Sequence, residues 1–121
     1  MSAAKINLRE KLALFDELWT PKIVAELNGQ EVRLAKVHGE FVWHTHEGED
    51  ELFLVLSGSL DIHLRDRVEH LEQGDLFVVP RGVEHRPVSE QGAELLLFEP
   101  ASVAHTGDVV SELTVDDPER I

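Results

Sequence analysis

Hydrophobic residues along this chain follow two different periods. Near the N-terminus, apolar residues recur at intervals of four, three and four, which is typical of one face of a helix. They are Leu8, Leu12, Phe15 and Trp19. Asn7 is a suitable N-cap, and Pro21 cannot continue a helix. The pattern therefore predicts one N-terminal helix over residues 7–19.

Strand-like runs separated by turn-forming residues occupy residues 22–100. KIVAEL and EVRLAKVH flank Asn28-Gly29, which predicts a hairpin because both residues tolerate positive φ. The later runs are ELFLVLSG, SLDIHLRD, RVEHLEQ, DLFVVP, EHRPVS and AELLLFEP, with turns predicted at Ser57-Gly58, Arg65-Asp66, Gln73-Gly74, Arg81-Gly82 and Gln91-Gly92. About eight short strands without intervening helices predict an all-β fold, an antiparallel sandwich or barrel.

Two of these runs, FLVL and LLLF, do not alternate between apolar and polar residues. We expect such strands to be buried on both faces, with one face inside the barrel and the other against a second sheet or a partner subunit. The chain has 121 residues, enough for one core, so we expect a single domain over 1–121. Residues 101–121 form a tail, interpreted as a final strand followed by a loose end.

Composition narrows the classes of partner and compartment. The net charge of −13 repels phosphate backbones and anionic lipids, so neither nucleic acid nor membrane is expected as a partner. A local arginine or metal ion can still reverse the potential inside a pocket, which leaves a small anionic ligand compatible with this charge. No apolar run reaches the length of a membrane span or of a signal-peptide core, so we expect a cytoplasmic protein. Cysteine is absent, which excludes disulfides and thiolate metal sites.

A histidine and carboxylate pattern precedes the first apolar run. His44 and His46 are two residues apart, so on an extended strand both side chains point to the same face. Glu51 follows at the start of the next strand, and His85 comes just after the Pro80-Arg81-Gly82 turn. Three imidazoles and one carboxylate suit Mn, Fe, Co, Ni, Cu or Zn. An HxH pair alone is a weak signal, because polar strand faces produce the same spacing.

The glycines around these residues carry a family resemblance. GEFVWHTHEGEDELFLVLSG reads G-x4-HxH-x4-E-x6-G, and GDLFVVPRGVEH reads G-x5-P-x-G-x2-H. In this order, these segments resemble the two signature motifs of the cupin superfamily, and the short gap between them is similar to that of small bacterial cupins. The resemblance covers roughly residues 22–100. It implies a double-stranded β-helix (jelly-roll) barrel that holds a divalent metal through His44, His46, Glu51 and His85.

The match departs from the family pattern at two places. The spacer between Gly39 and His44 is four residues instead of five, and Ser89 stands where the family has a trailing asparagine. Neither departure removes a ligand, although a vestigial site in a binding cupin remains the alternative.

Other residues are assigned by their position along the strands. We expect Phe53 and Val55 to share the face of Glu51 and form the pocket wall, and Trp43 to pack outside the barrel. Surface pairing is the expectation for the four cations near the motifs, with one of the first two as a candidate to enter the barrel. They are Arg33, Lys36, Arg81 and Arg86. The remaining histidines are expected at the surface, with His105 as a candidate to cap the mouth. They are His38, His63, His70 and His105.

Three functions fit these residues. The first is a metal-dependent enzyme acting on a small oxygenated or acidic molecule, an isomerase, epimerase, lyase or dioxygenase, in which Glu51 is the catalytic base. The second is a non-catalytic metal or ligand sensor or binding module. The third, a structural or interaction protein, leaves the four donors unexplained. Homodimerisation through a sheet face is a separate expectation.

Overall fold

The computed structural model describes residues 3–101 and 117–121. One short helix, α1 (Leu8–Leu12), precedes six antiparallel strands. The strands are β1 (Lys22–Leu27), β2 (Gln30–Glu40), β3 (Glu51–Leu64), β4 (Val68–Glu72), β5 (Leu76–Val79) and β6 (His85–Pro100). They pair in the order β1-β2-β6-β3-β4, and β5 pairs with the first half of β3. The predicted all-β fold with a short N-terminal helix is confirmed.

Two long strands replace four of the short ones that the sequence predicts. β3 continues through Ser57-Gly58, and β6 continues through Gln91-Gly92. The pairing of β3 with β6 shifts register on both sides of Gly58, which has φ +80°. Such bulges bend a strand and increase its twist without ending it. The predicted turns at these two places are therefore bends that let β3 pair with β5 at one end and β4 at the other.

The helix is shorter than the apolar spacing predicts. Asn7 caps it as expected, because its side-chain oxygen accepts from the Glu10 backbone N–H at 2.9 Å. The helix ends at Leu12, whereas the predicted stripe extends to Trp19. The Trp19 backbone N–H instead donates to the Lys36 carbonyl of β2 at 2.8 Å. Tertiary contacts with the sheet therefore override a helix that has little stability of its own.

The barrel interior is filled by alternate residues of β2, β3 and β6. The buried apolar cluster includes Ala35, Val37, Phe53, Val55, Leu60, Ile62, Leu64, Leu95 and Leu97. On the outside of the sheet, Leu12 and Phe15 pack on Leu34 and on the half-buried Leu56 and Leu96. FLVL and LLLF therefore alternate between buried and half-buried positions, and the N-terminal segment covers part of their outer face.

The end of the chain also lies against the sheet. The Ile23 N–H donates to the Glu119 carbonyl at 2.8 Å, and the Ile121 N–H donates to the Ile23 carbonyl at 3.0 Å. Residues 119–121 thus extend the outer edge of β1. The strand predicted earlier in the tail, like His105, lies outside the described residues. Among the residues that the structure describes, no helix is long and apolar enough to cross a membrane.

Candidate metal centre

The backbone brings the two sequence motifs together at one end of the barrel. His44 and His85 exchange both backbone hydrogen bonds, each at 3.0 Å. The Gly82 N–H donates to the His46 carbonyl at 2.8 Å, so the turn before β6 closes on the HxH segment. Glu51 begins β3 and pairs with Val79 of β5. These pairings fix the relative positions of residues that lie up to 41 apart in the sequence.

The four predicted ligand residues converge on one point. His44, His46, Glu51 and His85 each offer one ligand atom, and these atoms all lie within 4.8 Å of one another. Each of the four is at most 5% exposed. Two ligands on opposite sides of an ion at about 2.1 Å would be about 4.2 Å apart, so the cluster is close to the size that a metal requires.

Two imidazoles are oriented by main-chain carbonyls. His44 Nδ1 donates to the Val42 carbonyl at 2.9 Å, and His85 Nδ1 donates to the Val83 carbonyl at 3.0 Å. Since a carbonyl can only accept, the proton of each neutral ring lies on Nδ1 and the Nε2 lone pair points into the cluster. His44 Nε2 is buried and has no hydrogen-bond partner. Such an orphaned acceptor is what a metal ligand looks like without its ion.

The protonation states also favour metal binding. Burial, and then the nearby His85, lower the pKa of His44 to about 4, so this ring is neutral near pH 7. Burial alone would raise the pKa of Glu51. The nearby groups His46, whose Nε2 lies 3.2 Å from the carboxylate, His85 and Glu99 outweigh that effect and hold the Glu51 pKa below its usual range. The site therefore combines a neutral imidazole with an anionic carboxylate, and the donor set fits a divalent transition metal.

A buried ionic network adjoins the cluster and contradicts the default surface position expected for Arg33. Of the two candidates to enter the barrel, Arg33 and Lys36, it is Arg33 that does so. This side chain is only 1% exposed, and it donates to Glu31 at 2.7 Å and to Glu99 at 2.9 Å. Burial, and then the charge of Glu51, raise the pKa of Glu99 well above its usual range, and Glu99 in turn helps to lower the pKa of Glu51. Alternation could have found this network: Glu31 and Arg33 share the parity of Ala35, and Glu99 shares that of Leu97.

The other cations lie where the sequence predicts. Arg81 pairs with Asp50 and Arg86 with Glu40, each at 3.4 Å. Lys36 lies on the outer side, where its ammonium donates to the Phe15 carbonyl. The side chains of these three cations are therefore not part of the cluster.

The remaining aromatic residues and histidines are not members of the cluster. Trp43 lies outside the barrel, with the Arg65 guanidinium 3.7 Å from its ring centre. His38 and His70 are exposed and His63 is half-buried. Phe53 lines the cavity beside the cluster, as expected, whereas Val55 lies deeper in the core.

That cavity is small and mostly apolar. Its volume is about 30 Å³, and eleven residues line it. They are Trp19, Pro21, Ala35, Val37, Phe41, His44, Glu51, Phe53, Pro87, Leu95 and Leu97. Sequence reasoning missed the role of Trp19, because the spacing of apolar residues placed it on the helix.

The fold is an antiparallel barrel, and a buried cluster of three histidines and one carboxylate lies at one end of it. These two features place the chain among small barrel proteins with a candidate metal centre. The sequence model of the cupin domain matches residues 30–99, and the chain belongs to this family. The resemblance carried by the two motifs is thereby confirmed.

Solved structures agree with this assignment. A cupin-2 domain protein from Shewanella frigidimarina is 42% identical, with a TM-score of 0.78 over 78% of this chain and 93% of that one. Protein NMB1881 from Neisseria meningitidis is 34% identical, with a TM-score of 0.74 over 81% and 100%. The uncharacterized protein YdbB of Bacillus subtilis is 42% identical over 64 residues, which are 52% of this chain and 57% of that relative. The match thus spans little more than half the length of YdbB.

Proposed function

We propose that His44, His46, Glu51 and His85 bind a divalent transition metal, and that the protein is a metal-dependent enzyme acting on a small oxygenated molecule. The observation that carries this proposal is the oriented, orphaned Nε2 of His44 beside an ionised Glu51. A bound metal would polarise the oxygen atoms of a ligand and lower the pKa of its protons.

The chain itself supplies the acid–base group and the enclosure. Glu51 lines the cavity as a carboxylate, so it is placed to accept a proton from a ligand there. The mostly apolar lining lowers the local polarity and so strengthens electrostatic interactions at the site. Isomerase, lyase and dioxygenase chemistry all use these features, and the choice among them depends on the metal.

Metal analysis of variants tests the binding step. Purified wild-type protein is expected to hold close to one metal ion per chain, and His44→Ala and His46→Ala are expected to lose it together with the thermal stabilisation that it confers. His70→Ala is the matched control, because His70 is an exposed histidine paired with Asp61. Unchanged metal content in both ligand variants would refute the proposed site.

A non-catalytic metal-binding or sensor protein is the second candidate. It is favoured by one observation: among the described residues that line the cavity, only His44 and Glu51 can exchange protons. A turnover screen on keto-sugars, enediols and flavonol-like molecules separates the two candidates. Turnover that disappears in His44→Ala supports the enzyme, whereas metal loss with no turnover in the wild type supports the binding protein.

We also propose that two copies of the chain pair through the outer sheet face. Register places apolar residues in two rows across β2, β6, β3 and β5. The rows are Val32-Phe98-Leu52-Val78 and Leu34-Leu96-Leu54-Leu76. The α1 segment covers Leu34, but Leu76 and Val78 remain 57% and 43% exposed. Burial of an apolar face can hold two chains together although each carries a net charge of −13. At the rim of this face, the Arg81–Asp50 pair presents one positive and one negative group to a two-fold-related copy of the chain.

Light scattering after size exclusion tests this pairing. Leu76→Glu is expected to convert a dimer to a monomer. Leu27→Glu is the matched control, because Leu27 is 48% exposed at the β1–β2 hairpin, away from the two rows. A wild-type monomer, or a dimer that Leu76→Glu leaves intact, would refute the interface.

A further inference from the structure

Trp19 has an unusual backbone conformation. Its φ is +56°, in a region that bulky residues rarely adopt. The backbone N–H donates to the Lys36 carbonyl at 2.8 Å, and the indole Nε1–H donates to the His38 carbonyl at 3.1 Å. The ring stacks on Phe41, with 4.7 Å between centroids and 20° between planes. The two hydrogen bonds and the stacking contact with Phe41 therefore hold the indole in place.

The indole lies between the metal centre and solvent. Trp19 is partly exposed, whereas His44 and Glu51 behind it are buried, and all three line the same cavity. The cavity volume of about 30 Å³ is enough for two or three water molecules at about 10–15 Å³ each. Any ligand of more than a few atoms must therefore displace part of the lining, and Trp19 is the one lining residue that is partly exposed while the other ten are buried.

The lining also restricts the chemistry of a ligand. Of the eleven lining residues, nine are apolar or aromatic, and the polar side chains His44 and Glu51 lie together. The indole N–H already donates a hydrogen bond to the backbone carbonyl of His38. A ligand can therefore satisfy one polar end in this chamber, and hydroxyl groups along its remaining length would be buried without partners.

We propose that Trp19 is the specificity-determining residue of this site: the indole closes an apolar chamber that accepts a small molecule with one metal-chelating oxygen end and a short apolar body. This proposal deepens the proposed function and rests on it. It favours enol- or keto-type molecules with an apolar remainder over polyhydroxylated sugars. The ring of Phe41 is the surface on which the ligand body packs once the indole has moved.

Hydroxamates that share one chelating head test the polarity of the chamber. Butyrohydroxamate and its 2,3,4-trihydroxy counterpart differ only in three hydroxyl groups. Calorimetric titration of metal-loaded wild-type protein is expected to give at least about tenfold tighter binding of butyrohydroxamate, because the hydroxyls lose hydrogen bonds to water. Equal binding, or tighter binding of the trihydroxy compound, would overturn the proposal. This comparison needs no variant.

Benzohydroxamate tests the role of the indole. In Trp19→Ala, its affinity relative to butyrohydroxamate is expected to rise at least about tenfold, whereas Trp19→Phe, which keeps an aromatic ring, stays closer to the wild type. Trp43→Phe is the control, because Trp43 lies outside the barrel. In that background the fluorescence of Trp19 should change when butyrohydroxamate binds. The proposal would be overturned if Trp19→Ala left the ratio of benzohydroxamate to butyrohydroxamate affinity unchanged, or if the fluorescence of Trp19 did not change when butyrohydroxamate binds.

Metal content separates the two levels of failure. A chain that holds no metal and binds no hydroxamate refutes the proposed function and this proposal together. A chain that holds the metal but discriminates by neither polarity nor size refutes the role of Trp19 alone.

Discussion

Replacing Gly58 with alanine perturbs the contact between the two longest strands. Gly58 lies in β3 with φ +80°, opposite Ala93 of β6. An added Cβ would lie 2.1 Å from the Gly92 carbonyl oxygen and 2.9 Å from the Ala93 Cα. Both are backbone atoms, so no side-chain rotation relieves the overlap. This glycine is also the last residue of the first sequence motif.

Two costs combine in this variant. The left-handed conformation costs an L-residue about 1–2 kcal/mol. A carbon normally approaches a carbonyl oxygen to about 3.3 Å, so β3 and β6 must separate by roughly 1 Å. Overpacking of this kind costs about 1–3 kcal/mol more. We therefore expect Gly58→Ala to lower the free energy of unfolding by about 2–5 kcal/mol, a large part of the ~5–15 kcal/mol of a typical domain.

Gly74→Ala is the matched control. Gly74 has a similar φ of +90°, but an added Cβ would meet no atom within 4 Å. Its expected cost is the conformational part alone, about 1–2 kcal/mol. Urea denaturation of the metal-free proteins, followed by circular dichroism, gives both values. Equal losses in the two variants would refute the close approach of β3 and β6 at Gly58.

Three further predictions concern buried polar groups. In the metal-free protein, burial and the nearby His85 lower the pKa of His44 to about 4 from the 6.5 of a free imidazole. As the pH falls, the His44 imidazole therefore takes up its proton at a higher pH in the unfolded chain than in the folded protein. The contribution of neutral His44 to the free energy of unfolding is complete above pH 6.5 and about 3 kcal/mol smaller at pH 4. His44→Gln should flatten that part of the curve of unfolding free energy against pH, and an unchanged slope would contradict the assignment. Arg33→Leu removes the cation that Glu31 and Glu99 share, leaving Glu31 only the Arg120 guanidinium at 3.4 Å, and should cost about 3–5 kcal/mol in urea denaturation, whereas a loss below about 1 kcal/mol would contradict the buried network. The hydroxyl of the buried Ser89 donates a hydrogen bond to the Ser59 carbonyl at 2.7 Å, and Ser89→Ala leaves that carbonyl without this donor. The variant should cost about 1–3 kcal/mol by the same assay, and a neutral effect would contradict a stabilising role for this hydrogen bond.

Local patterns were sufficient for much of the fold and for the ligand set. The hairpin at Asn28-Gly29 forms as its turn chemistry predicts, with β1 and β2 on either side. The spacing of His44 and His46 places both side chains in the cluster, and Glu51 shares the inward face with Phe53. Each of these is a property of neighbouring residues, because backbone periodicity sets the face on which a side chain lies.

Some features depended on which distant segments meet. Gly58 and Gly92 each signalled a turn, but whether a glycine ends a strand or bends it depends on the pairing partners available on both sides. Arg33 is stable in the interior because Glu31, Glu99 and the Ala101 carbonyl accept its hydrogen bonds there. Alternation marks Glu31, Arg33 and Glu99 as inward-facing, but only the pairing of β2 with β6 brings them into contact.

The sequence by itself determined an all-β chain with a short helix, two ordered motifs and four donors suited to a metal. Tertiary structure alone decided that Glu99 contacts Glu51, that Trp19 leaves the helix to close the chamber, and that the chamber is apolar. The physical reason is that the alternation of apolar and polar residues specifies only which side chains of a strand face the barrel interior and which face outward. The bends of β3 and β6 and the register between them select which inward side chains come into contact.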